Sequence, residues 1–282
     1  MKKNKIKFFL IVTLISFCNN PTQKYSSTND CLNAFNVGEI ESSDINEQFI
    51  IAGHAYGSHQ SDNPALSYQF LNFLDKNKSK EYSIILTGDF IRNSTLENMN
   101  VLKKQLDQYS SNYYFSIGNH DIDYGRSEAF YKVFENDLDL ISFGNVDLVI
   151  ANFSNFNWEP KDSDKKAINS FLKDSKSKYI IIFSHQIFWE EMVVNPIQKN
   201  ADDLLEVPLK KNALDWLERS EKTVIIVSGD YGLHEYETYC EHNTETDTLF
   251  IANGLYDRDT DTVLELTISD QDFRFLEIIV SD

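Results

Sequence analysis

The chain has 282 residues, 41% of them apolar and 25% charged, and a formal net charge of −18. That length and apolar content suffice for one sizeable core, and 20 Phe, 14 Tyr and 3 Trp exclude disorder as the main state. The acidic balance excludes a binder of the nucleic-acid backbone, because too little positive charge is present to release counterions. An anionic substrate would need a local positive centre, such as a metal ion or a helix N-terminus. With 10 Gly, 5 Pro and 3 Cys, collagen-like, linker-like and disulfide-scaffold classes are also excluded.

The N-terminus reads as an export signal. Lys2, Lys3, Lys5 and Lys7 precede an apolar run from Phe8 to Phe17. The run is too short to cross a bilayer as a helix, which takes about 20 residues. Cys18 closes it, and Leu14-Ile15-Ser16-Phe17-Cys18 resembles a bacterial lipoprotein box. The resemblance implies that residues 1–18 are a signal peptide and lipobox, with a lipidated Cys18 as the mature N-terminus. Phe17 departs from the small residue usual there. The alternative is ordinary cleavage, for which no Ala-x-Ala triplet marks a site. Residues 19–46 are rich in Asn, Ser, Thr, Asp and Glu without sustained periodicity, and are expected to form a polar tether. Cys31 lies in this stretch and Cys240 far beyond it; the sequence does not decide between a disulfide and two free thiols. One domain is expected over 47–282.

Within it, short apolar runs end in turn residues. Phe49 to Ala52 leads to Gly53, Ser83 to Thr87 to Gly88, and Tyr113 to Ile117 to Gly118. Tyr179 to Phe183 leads to Ser184, and Thr223 to Val227 to Ser228-Gly229. Each reads as a buried strand feeding a sharp turn. Helical patterns cover 64–76, 95–109, 163–172 and 209–217, so strand and helix alternate, as in layered α/β folds. Leu140 to Phe143 and Val146 to Ala151 flank Gly144-Asn145 as a hairpin. Strand signals recur at 249–254, 263–268 and 273–280, which favours mixed sheets over a purely parallel one.

Four of the five strand runs deliver polar residues at their carboxyl ends, where open α/β sheets place ligands. They are Gly88-Asp89, Gly118-Asn119-His120-Asp121, Ser184-His185 and Gly229-Asp230. A lone Gly-Asp is usually only a turn. Together, however, two carboxylates, an amide and an imidazole make a mixed oxygen and nitrogen metal site.

In this order the motifs resemble the calcineurin-like metallophosphoesterases, from about residue 48 to 280. The resemblance implies a four-layer α/β-β/α sandwich with mixed sheets and hydrolysis of a phosphoester. It also implies a metal-bridging role for Asp89, with Asn119 and His185 as further ligands. Two family motifs are broken. Gly53 and Ala55 stand where Asp-x-His is expected, and Asp230 and Gly232 replace the two His of Gly-His-x-His. The losses fall on one metal. The other keeps Asp89, Asn119, His185 and Asp230, so one divalent ion is expected. Its oxygen-rich set favours Mn²⁺, Mg²⁺ or Ca²⁺, with Zn²⁺ or Fe as the softer alternatives.

By resemblance, His120 protonates the leaving oxygen and Asp121 orients its ring. His54 and His234 are expected to line the cleft as hydrogen-bond donors to an anionic group, with His54 as a second positive centre in place of the lost metal; the alternative is that they rebuild that metal's site from shifted positions. His59 and His242 read as surface residues. The sequence therefore suggests an exported, metal-dependent phosphoesterase of a bacterial cell envelope, lipid-anchored and acting on a small-molecule or glycan phosphoester. No nucleic acid is expected as partner, the membrane is met only through the anchor, and oligomeric state is not readable. The alternative is an inactive binding protein on the same fold, with Tyr56, Phe188, Trp189 and Tyr231 as exposed stacking aromatics.

Overall fold

Strands with apolar side chains on both sides need cover on both faces, and the chain supplies it with a second sheet and with helices. The computed structural model describes residues 22–23, 28–36, 40–58, 60–122, 128–154, 159–187, 214–218, 221–231, 238–244 and 246–281. Among these the first half runs β1 (Thr22–Gln23), α1 (Thr28–Phe35), β2 (Ile45–Ala52), α2 (Tyr68–Lys76), β3 (Ser83–Leu86), α3 (Leu96–Leu106), β4 (Tyr113–Phe115) and α4 (Glu128–Val133). The second half runs β5 (Leu138–Phe143), β6 (Val146–Ala151), α5 (Asp162–Asp174), β7 (Tyr179–Ser184) and β8 (Thr223–Ser228). It closes with β9 (Tyr239–Asn243), β10 (Thr248–Ala252), β11 (Thr262–Ser269) and β12 (Phe273–Ile279).

One sheet has the order β1-β9-β10-β8-β7-β6-β5 and the other β12-β11-β2-β3-β4. Both are mixed: β6, β7, β8 and β10 are parallel in the first, and β2, β3 and β4 in the second. Side chains alternate between faces along each strand. Phe49 and Ile51 of β2 meet Ile181, Phe183, Ile225 and Val227 between the two sheets. Ile50 and Ala52 turn outward to Phe70, Phe73, Met99 and Leu102 of α2 and α3. On the opposite outer face, Val224 and Ile226 pack with Ile168 and Leu172 of α5. The order helix, sheet, sheet, helix is the expected four-layer α/β sandwich.

Local chemistry sets the boundaries. The Ser67 hydroxyl accepts the Phe70 N–H and starts α2 at Tyr68, four residues after the expected helix start at Pro64. Thr95 does the same for α3 through the Asn98 N–H. The predicted hairpin forms, with Phe143 opposite Val146. Of the predicted helix at 209–217, residues 209–213 lie outside the described residues and 214–216 form a turn.

The tether departs most from expectation. Thr28–Phe35 is a helix whose Cys31 and Leu32 are buried between the sheets. Cys31 is disulfide-bonded to Cys240 of β9. The Asn36 side chain pairs with the main chain of Phe275 on the edge strand β12, accepting its N–H and donating to its carbonyl. A helix of eight residues is too short to hold in isolation, so it leaves no lasting period in sequence. Contacts distant in sequence create it. The folded domain thus begins before residue 47, and β2 starts at Ile45.

Candidate metal centre

The parallel strands of both sheets end on the same side of the sandwich, and their last residues are pressed together. Gly88, with φ +82°, turns the chain after β3; a Cβ there would lie 2.4 Å from the His185 ring. Asp89 follows with φ +51°, a left-handed backbone that non-glycine residues adopt at a cost of about 1 kcal/mol or more. His54, after β2, is also left-handed at φ +47°. These are two strained positions at one carboxylate.

That carboxylate has two differently furnished sides. At Oδ1, His185 Nε2 stands 3.4 Å away. The same nitrogen lies 3.2 Å from Asn119 Oδ1 and 3.6 Å from Asp230 Oδ1. His185 Nδ1 lies 3.0 Å from the Thr87 carbonyl, which can only accept, so Nδ1 carries a proton. In the neutral ring the Nε2 lone pair therefore points at three oxygens, an arrangement that a cation completes. Asp89, His185 and Asp230 each offer a ligand atom within 4.8 Å of the others, and they are the one such group among the described residues. The donor set fits a divalent ion.

Electrostatics agree. Asp89, Asp230 and His185 are all buried. Burial pushes the Asp230 carboxyl up to about 6. Burial would lower His185, but the charges of Asp89 and Asp230 outweigh it and raise the imidazole to about 10. Burial would also raise Asp89; the charge and hydrogen bond of His185 hold it well below the usual carboxylate range. A proton on His185 thus stands where the donor set favours a metal.

At Oδ2, two imidazoles approach among the described residues. His54 Nε2 is 3.9 Å away and His120 Nε2 4.0 Å. Their Nδ1 atoms are held by the carbonyls of Leu255, at 3.0 Å, and Arg92, at 3.1 Å. The Tyr56 ring sits beside both, with centroids 4.5 Å from His54 and 5.3 Å from His120. Gly53 and Gly229 meet here: a Cβ at 53 would fall 2.3 Å from Gly229 Cα and 2.5 Å from the Asn253 carbonyl oxygen. The space an Asp side chain would take at 53 is filled by main chain.

Several assignments change. Asp121 does not orient His120; the Arg92 carbonyl does. The buried Asp121 carboxylate accepts four main-chain N–H groups, those of Asp89, Phe90, Ile91 and Gly118. It braces the two loops that carry Asp89 and Asn119. His54 is not a positive centre: burial lowers it to about 4, which leaves the ring neutral at pH 7. Tyr56 and Tyr231 are 2% and 3% exposed and offer no stacking surface. His242 is half-buried, edge-on to Phe35 at 4.4 Å, rather than a surface residue. His234, His59, Phe188 and Trp189 lie outside the described residues.

Sequence reasoning missed Thr87, Leu255 and Arg92, which act through carbonyls and so carry no side-chain signal. It also missed Asn253, whose amide donates to the Thr262 carbonyl at 2.7 Å while its main chain backs Gly53. Its place directly after a strand run, like the other polar residues of the site, was the available signal.

Residues 43–255 match the family model of the calcineurin-like phosphoesterases. No curated protein matches the sequence. Among solved structures, the chain is similar to the purple acid phosphatase PPD1 from yellow lupin (Lupinus luteus) seeds, at 13% identity and a TM-score of 0.59. That match covers 84% of this chain and 52% of the phosphatase. A 5'-nucleotidase precursor from Thermus thermophilus is similar at 12% identity and a TM-score of 0.45, over 83% of this chain and 54% of that one. The chain spans about half the length of these two structures.

Proposed function

This chain belongs to the calcineurin-like phosphoesterase family, and we propose that it is an exported, envelope-anchored phosphoesterase working with a single divalent ion. The observation that carries the reading is His185. Its Nδ1–H is fixed on Thr87, and its Nε2 faces Asp89, Asn119 and Asp230 at 3.2 to 3.6 Å. These four residues would hold the ion, and three oxygens to one nitrogen favour Mn²⁺, Mg²⁺ or Ca²⁺. When bound, the ion supplies charge stabilisation at a phosphoryl oxygen and acidifies a coordinated water.

The chain's own groups divide the remaining work. His120, with its side chain 38% exposed, is open to substrate. With Nδ1–H spent on Arg92, it donates to a leaving oxygen from Nε2 in its imidazolium form. His54 is neutral, and its Nε2, 3.9 Å from Asp89 Oδ2, is free to act as a hydrogen-bond acceptor toward a polar group of the substrate. Arg92 and Leu255 hold both rings through their carbonyls. The Cys31–Cys240 disulfide suits an oxidising compartment and so supports export.

The second reading, an inactive binding protein, draws on the Gly53 and Gly229 packing, which leaves no room for the family's first Asp. Elemental analysis and a phosphomonoester screen on the purified protein, beside an Asp89→Asn/His185→Ala variant, separate the two. The enzyme reading expects about one metal per chain, lost in the variant along with slow but measurable turnover. Bound metal without turnover favours the binding protein. No metal after reconstitution overturns the single-ion site.

A further inference from the structure

The position of the N-terminal strand sets where an anchor at Cys18 would meet the fold. We propose that the lipid-anchored protein presents the start ends of its parallel strands to the bilayer and its metal site to the aqueous side. It would then act on phosphoesters arriving from solution rather than on lipid headgroups of the anchoring leaflet. The proposal rests on the export and Cys18 lipidation reading above.

Register and reach set this orientation. Thr22 pairs with Asn243 and Gln23 with His242. Asn243 lies opposite Thr248, the first residue of β10, and Thr248 lies beside Val224 near the start of β8. The chain therefore joins the sheet at the end where the parallel strands begin. Asp89, His185 and Asp230 follow the ends of β3, β7 and β8, on the other side. Cys18 precedes Thr22 by four residues, a span of at most about 14 Å. The six residues of β8 add a rise of about 20 Å before Asp230 is reached.

A tether running freely to β2 would reach several times farther and leave orientation open. It does not run freely. Thr28 Oγ1 donates to the Thr238 carbonyl, Cys31 is bonded to Cys240, and the Asn36 amide is paired with Phe275. The domain is thus held at β1, close to the anchor, and four residues are too few to carry the opposite end round to the bilayer.

Proteoliposomes of the full lipidated chain test this. Lys178, exposed before β7, and Asp259, exposed in the turn before β11, mark the two ends. With Cys31 and Cys240 bonded and Cys18 acylated, Lys178→Cys or Asp259→Cys supplies the one free thiol for a fluorophore. A headgroup-borne quencher should quench the label at 178 several-fold more than the label at 259. Equal or reversed quenching overturns the proposal. This readout needs no turnover, so an inactive protein with the expected order leaves the orientation standing and moves only the enzyme reading. Where turnover is present, hydrolysis of phosphatidic acid in the same vesicles overturns the proposal. Equal rates on p-nitrophenyl phosphate for the anchored and Cys18→Ser forms support it. If wild-type chain takes no palmitate label in cells, the anchor and the orientation fall together, and the metal reading is untouched.

Discussion

The two oxygens of Asp89 face different chemistry. Around Oδ1 stand an imidazole, an amide and a second buried carboxylate, all close to His185 Nε2. Around Oδ2 stand two imidazoles at 3.9 and 4.0 Å and no second carboxylate among the described residues, backed by two glycines in main-chain contact. The first side has the charge to hold a cation. The second has donors and acceptors for water or a phosphoryl group. The difference teaches that Gly53 did not leave an empty socket: the main chain of Gly229 and Asn253 fills that space, and His54 and His120 stand at Asp89 Oδ2.

The strongest way to break that contrast is to force the lost site back. Gly53→Asp with Ala55→His puts a side chain where Cβ alone meets Gly229 at 2.3 Å. The variant should lose about 3 kcal/mol or more of stability, and metal content should stay at about one per chain. A stable variant with two metals would refute the closed-socket account. Next, the two imidazoles should differ from His185 in kind. His120→Asn should lower kcat about 100-fold with metal retained, and His54→Gln about tenfold. Loss of metal in either would place the ion on the Oδ2 side.

Asp121 joins the two sides, since it gathers N–H groups from both loops. Asp121→Asn replaces one acceptor oxygen by a donor that faces other donors. Metal affinity should fall about tenfold in a competition titration. An unchanged affinity would make the brace merely structural.

Per pH unit, the proton balance acts on the Oδ1 side alone. In the metal-free protein His185 holds its proton up to about pH 10 and Asp230 up to about 6. Metal binding must displace them. Apparent affinity should therefore rise about tenfold per pH unit between 6 and 10, and more steeply below 6. Calorimetry in two buffers counts the protons released. For the metal-free fold the His185 shift stabilises below pH 6.5, and that contribution is lost as pH climbs through 10.

Much of this was legible in order along the chain. The runs ending at Gly53, Gly88, Gly118 and Gly229 are strands because continuous apolar segments are buried on both faces. Their polar successors meet because parallel strands end together. That Asp89, Asn119, His185 and Asp230 come together could thus be expected from sequence alone. Asp121 could not be assigned correctly, since adjacency to His120 says nothing of where a buried carboxylate finds its donors. Tyr56 and Tyr231 follow strand ends just as the ligands do, yet they pack inward, and only burial distinguishes the two outcomes.

The sequence by itself determined the fold class, the strand ends and which polar residues gather at Asp89 Oδ1, because periodicity and turn chemistry are local. Tertiary structure decided what depends on residues far apart in the chain. It fixed the helix at Thr28–Phe35, held by a disulfide across 209 residues, and the carbonyls of Thr87, Arg92 and Leu255 that aim three imidazoles at one carboxylate. A main-chain carbonyl is the same in every residue, so where it points is written only in the folded chain.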